Sequence, residues 1–142
     1  MLLLRIVSIV CGLLALFGIR WAYVTYIVVA LLYFPLQVGF EFHPRACQLA
    51  LNPDLAMNSL TNWGHVVLFG IFFVMTLAQF RRRTPSAFAW SALIVLLMGA
   101  LVEIAEGATG ARNCRVRDLV PDGAGAVLAM VLVASVNRMQ QR

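Results

Sequence analysis

Lysine is missing from this chain, and acids are scarce: eleven arginines carry all the basic charge against six Asp or Glu and two His, a formal net charge of +5. Charged residues make up only 12% of the 142 residues while hydrophobic ones reach 62%. Soluble domains carry about 25% charged and about 45 to 50% apolar residues, so this shortage of charge excludes an ordinary soluble enzyme and a disordered tail. Internal repeats and low-complexity tracts are also lacking, which leaves out solenoids and arrays. What remains is a membrane protein, and at about 20 residues per helical crossing the length allows four or five spans with loops but no separate soluble domain. Function then falls to the helices and their short connections within a single transmembrane domain, residues 1–142.

Charge-free runs cover 6–19, 21–40, 66–80, 84–102 and 123–137. They predict helices at about 3–19, 21–39, 63–80, 86–106 and 119–137, a compact all-α antiparallel bundle of about five transmembrane helices, or four if residues 1–19 do not span. The first two runs almost touch at Gly18-Ile19-Arg20. Residues 1–19 can therefore also lie at the interface, or form one bent element with the second run. Cleavage as a signal peptide is a further alternative, opposed by the thin basic start at Arg5 and the lack of an A-x-A site.

A positive balance can signal nucleic acid, but Arg5, Arg20, Arg81 to Arg83, Arg138 and Arg142 stand at the edges of apolar runs, where arginine marks topology; no nucleic-acid partner is expected. Three arginines in the short Arg81-Arg82-Arg83-Thr84-Pro85 turn predict a cytoplasmic loop. By alternation the 40–62 and 107–118 loops face the extracytoplasmic side of a bacterial inner membrane. Arg5 then falls outside, a mild strain on the five-span count. Cys47 and Cys114 share that outer compartment, where disulfides persist, so a Cys47–Cys114 bridge is expected, the alternative being two free thiols too far apart to bond. Cys11 sits inside an apolar run. Trp21, Tyr23, Trp63 and Trp90 read as interfacial belt residues.

Seven of the seventeen charges fall within twenty residues: Glu103, Glu106, Arg112, Arg115, Arg117, Asp118 and Asp122. Consecutive helices joined by short loops run antiparallel. His65 at the start of the third expected helix, Glu103 and Glu106 at the end of the fourth, and Asp118 and Asp122 at the opening of the fifth then meet at one membrane face. Spacings of three and four put each acid pair on one helical side. Ionisable groups inside a span cost about 2.5 to 3.5 kcal/mol each at its centre and point to function with a partner nearby; here the candidate partners are Arg112, Arg115 and Arg117. The same residues also permit a purely structural reading, in which Asp118 caps a helix and an arginine–carboxylate network ties the loop down.

The order His65, Glu103, then Arg112 six residues before Asp118-x-x-x-Asp122-x-x-Gly125 resembles the VanZ-like family of small bacterial membrane proteins, over about residues 60–137. That pattern has Gln where this chain has Glu106, Asn where it has Asp122, a small or acidic residue at Arg115 and often Lys at Asn62. Two extra acids beside Arg115 and Arg117 suggest compensating pairs of Arg115 or Arg117 with Glu106 or Asp122.

The resemblance implies a link to reduced susceptibility to glycopeptides such as teicoplanin. From the residues, the expected site is an extracytoplasmic pocket that binds or modifies an anionic membrane lipid or lipid-linked envelope precursor. Arg112, Arg115 and Arg117 hold the anion by forked hydrogen bonds, with Glu106 and Asp122 beside them. His65 and Glu103 serve as base and orienter, and Asp118 fixes the arginine geometry. No cofactor is required. One alternative is a metal-dependent hydrolase with a divalent ion held by His65, Glu103, Glu106 and Asp118, although no compact ligand spacing is present. Another is a non-catalytic accessory or assembly subunit, in which Gly64, Gly70, Gly99, Gly107, Gly123 and Gly125 let helices approach closely.

Overall fold

A computed structural model describes residues 2–140; Arg142, one of the expected topology marks, lies outside the described residues. Among the described residues six helices succeed one another: α1 Leu2–Leu16, α2 Arg20–Gln37, α3 Pro53–Ser59, α4 Trp63–Ala78, α5 Pro85–Thr109 and α6 Leu119–Gln140, the last preceded by a 3-10 turn at Val116–Asp118. The five expected helices all appear, shifted by a few residues at their ends, and α3 is an addition. Its start is written in the sequence: the Asn52 side chain accepts the Leu55 N–H at 2.8 Å, and Pro53 fills the first helical position, where its missing N–H costs nothing.

The helices Pro85–Thr109 and Val116–Gln140 are long and apolar enough to cross a membrane, and α3 with α4, bent by 74° at their junction, makes a third if the pair counts as one span. Five spans therefore exceed what helix length and composition establish. α1 is apolar but only 15 residues long. α2 has the length, 18 residues, but Arg20, three tyrosines and Pro35 dilute its apolar character.

α1 and α2 form a tight hairpin, neither a single bent helix nor a stretched connection. Gly18 turns the chain at φ 77°, a left-handed value that side chains with a Cβ adopt reluctantly, and Gly12 of α1 faces the ring of Tyr26 across the pair. Gly12 also approaches Met75, and Gln79 Nε2 donates to the Ala15 carbonyl at 2.8 Å, so α1 runs parallel to α4 with their C-terminal ends together. The turn before Arg20 thus sits at the same end of the molecule as Arg81–Arg83.

α4 is the central element, packed on α1, α5 and α6. In lipid the surrounding tails are as apolar as leucine, so association rests on close packing and interhelical hydrogen bonds. Both are present. α4 and α6 run parallel and touch backbone to backbone: a Cβ on Gly70 would stand 3.2 Å from the Gly125 carbonyl oxygen, and one on Gly125 would overlap the Val66 carbonyl. Tyr23 Oη and Thr76 Oγ1 bond at 2.9 Å between α2 and α4, a link of about 0.6 kcal/mol on average in membranes. Tyr23 stacks on Phe72 as well, so it is a packing residue and not part of an interfacial belt; Trp21, Trp63 and Trp90 are exposed.

Candidate functional site

The site lies where α4 and α6 begin and α5 ends. The parallel crossing at Gly70 and Gly125 brings residue 122 level with residue 65, and His65 Nδ1 meets Asp122 Oδ1 at 2.7 Å. Asp122 is buried at 1% exposure behind a half-buried imidazole. With Nδ1–H donating to the carboxylate, Nε2 is the nitrogen left for other partners. Phe69, one turn on, stacks on the ring at 6.0 Å and fixes its plane. Gly99 of α5 is required at the back: a Cβ there would come within 2.5 Å of Asp122 Oδ2. The partner of the imidazole is therefore Asp122, correcting the expected pairing of His65 with Glu103.

Glu103 is buried inside α5 and accepts the backbone N–H of Arg115 at 2.5 Å. It holds the returning loop against the helix, a positioning role. α5 runs on to Thr109, three residues past its expected end, which puts Glu106 inside the helix as well.

A strap completes the site. Residues 43–48, leaving the end of α2, run along the end of α5 and the loop beyond it: Arg45 N–H donates to the Gly107 carbonyl at 2.8 Å, Gln48 N–H to that of Cys114 at 2.9 Å, and Val116 N–H to that of Gln48 at 3.1 Å. The Cys47–Cys114 disulfide clamps the strap in place, with Cα atoms 4.6 Å apart. α3 is tied to the same loop by Ser59 Oγ, which donates to the Arg117 carbonyl at 3.1 Å.

Under this strap lies a polar cavity of about 440 Å³. His65 reaches it from α4, Asn62 from the residue before that helix, Glu106 from α5, and Arg112, Asn113, Arg115 and Asp118 from the loop. Arg45 reaches it from the strap, steadied by a 3.2 Å hydrogen bond from Nη1 to Asn113 Oδ1. Of the expected residues, His65, Glu106, Arg112, Arg115 and Asp118 line the cavity. Asp122 and Glu103 stand behind its wall, and Arg117 is not among its lining. Arg45 and Asn113 were not foreseen, although a Cys47–Cys114 bridge necessarily carries Arg45 toward Arg112.

Among the described residues the only ion pair within 4.0 Å joins His65 and Asp122. The expected pairs of Arg115 or Arg117 with Glu106 or Asp122 are not formed, because the strap and the Glu103 contact hold the loop's backbone without using guanidinium groups. Arg115 Nε is buried without a hydrogen-bond partner. Three guanidiniums and two carboxylates line the cavity, with Asp122 and Glu103 behind them, and planar forks of this kind suit phosphate or carboxylate. No group of three or more His, Cys, Asp or Glu among the described residues is arranged to hold a metal, so His65, Glu103, Glu106 and Asp118 do not supply the donor set of the metal alternative.

No protein family, curated protein or solved structure matches the chain.

Proposed function

We propose that this is a VanZ-like bacterial inner-membrane protein whose cavity binds, and with His65 modifies, an anionic membrane lipid or lipid-linked cell-envelope molecule. In this reading α1, α2, α4, α5 and α6 make five crossings. The strap and the residues 107–118 face the extracytoplasmic side, while Arg81–Arg83 face the cytoplasm. The observation that carries it is a hydrogen-bonded His65–Asp122 pair at the wall of a cavity into which Arg45, Arg112 and Arg115 bring guanidiniums that, among the described residues, form no ion pair.

The arrangement supports two chemical tasks. Guanidinium groups bind an oxyanion and pull electron density toward it, each charge-assisted hydrogen bond contributing about 1.5 to 3 kcal/mol. An imidazole held by a buried carboxylate can take a proton from a hydroxyl or water set against that anion. The disulfide supports the outward placement of this end, since such bonds persist in oxidising compartments. The VanZ-like reading, and with it a link to glycopeptide susceptibility, rests on His65, Glu103, Arg112, Asp118 and Gly125 in their order along the chain.

Native mass spectrometry of the purified protein with phosphatidylglycerol and phosphatidylcholine tests the binding half. Wild type is expected to retain phosphatidylglycerol preferentially, and His65→Ala and Arg112→Ala to lose that preference while eluting as folded protein. Equal retention of the two lipids by wild type would overturn the reading.

A further inference from the structure

Beside the polar cavity runs a second depression of a different kind: a groove of about 830 Å³ between α1, α4 and α6, lined almost throughout by apolar groups. Small residues keep its floor low, with Gly12 on α1, Gly70 on α4, and Gly125 and Ala129 on α6. Its sides come from residues such as Leu13, Val67 and Leu128. At the cavity end the groove begins at Trp63 and Val66, which alternate along the start of α4 with Asn62, the residue before the helix, and His65 of the cavity wall. Its α4 edge extends to Met75, and twelve residues of helix rise about 18 Å. α4 itself, 16 residues long, rises about 24 Å, so the groove follows most of that helix.

From these features we infer that the groove seats one acyl chain of a phospholipid in the leaflet on the cavity side, with its phosphate between Arg45, Arg112 and Arg115. The inference rests on the anionic-headgroup reading above and adds the rest of the ligand: an amphiphile that arrives sideways from the bilayer. Charge selects this occupant. A groove that opens beside arginines outside any ion pair among the described residues fits a chain whose head is an anion at that level. A second copy of this chain, with its net charge of +5, brings no excess of negative charge to meet those arginines. Hydrocarbon gains little by leaving other hydrocarbon, so the groove aligns the chain while the guanidiniums hold the head.

The test uses the full chain in phosphatidylcholine nanodiscs doped with phosphatidylglycerol bearing a photoreactive group at mid-chain. Expected crosslinks concentrate on the groove faces of α1, α4 and α6 and exceed those from phosphatidylcholine carrying the same group. Val67 and Ile71 are exposed, so Val67→Trp with Ile71→Trp fills the groove without disturbing the core. This double variant is expected to lower groove labelling about tenfold, the consequence of displaced chain contacts, while binding of soluble glycerol phosphate in the cavity stays as in wild type. Label spread evenly over all lipid-facing helices, equal labelling by both lipids, or crosslinks between copies would each overturn the inference and leave the headgroup reading standing. Failure of both glycerol phosphate and phosphatidylglycerol to bind would remove the headgroup reading and this inference with it.

Discussion

The two ends of the bundle carry similar numbers of arginines and use them differently. At one end Arg20, Arg81, Arg82, Arg83 and Arg138 are exposed, with no acid near them in the sequence; Arg83 Nη1 donates to Asn137 Oδ1 at 2.9 Å. At the other end Arg45, Arg112, Arg115 and Arg117 are interleaved with all six acids of the chain, a disulfide and a hydrogen-bonded strap. Bare arginines in a short turn between apolar helices have the arrangement that topology marks require. Arginines held around a cavity by backbone contacts are kept apart from neighbouring carboxylates and available to an external anion. Sign and number of charges are therefore a poor guide to their role; what holds the backbone beneath them decides it.

The largest expected effect breaks the comparison by side. Ala111→Cys, next to Arg112, should react with a membrane-impermeant maleimide in intact cells, and Thr84→Cys, next to Arg83, only after permeabilisation. The reverse pattern would invert the topology. Second, Arg112→Ala with Arg115→Ala should weaken phosphatidylglycerol retention about a hundredfold or more, since charged hydrogen bonds contribute about 1.5 to 3 kcal/mol each. Arg81→Ala with Arg82→Ala removes the same charge from the other end and should leave retention unchanged in the same native mass spectra.

Third, Cys47→Ser should lower stability by about 2 to 4 kcal/mol, because the bridge closes a loop of 67 residues. Thermal unfolding in detergent with and without reductant reads this out, wild type in reductant matching the variant. A smallest pair sharpens the local account. Gly125→Ala drives a Cβ into the Val66 carbonyl and should destabilise by about 1 to 3 kcal/mol. Gly123→Ala meets only Leu96 at an ordinary 3.5 Å and should stabilise by about 0.5 to 1 kcal/mol in the same melts.

Much of the cavity end was readable from the chain. Acids spaced by three and four, a short Arg-rich loop and antiparallel neighbours suffice to bring His65, Glu106, Arg112, Arg115 and Asp118 to one place, and the two loop cysteines suffice for the bridge. The true partner of His65 was not readable, because antiparallel reasoning treats consecutive helices. The contact that decides it is between α4 and α6, parallel and non-consecutive, set by how closely Gly70 and Gly125 let two backbones approach. The path of the strap was hidden for a similar reason: its course depends on backbone groups at the end of α5, which carry no side-chain signature. α3 was missed although Asn52-Pro53-Asp54 spells a helix start, since turn-forming residues there read equally as an irregular loop.

The most direct measurement of the central claim is an experimental structure of the protein extracted with its native lipids, resolved well enough to see the cavity side chains. The account predicts density for a compact anion within hydrogen-bond reach of Arg112 and Arg115, with His65 still bonded to Asp122 and its other ring nitrogen turned toward that density. Guanidiniums folded onto Glu106 and Asp118 as ion pairs, around a cavity holding only water, would contradict it.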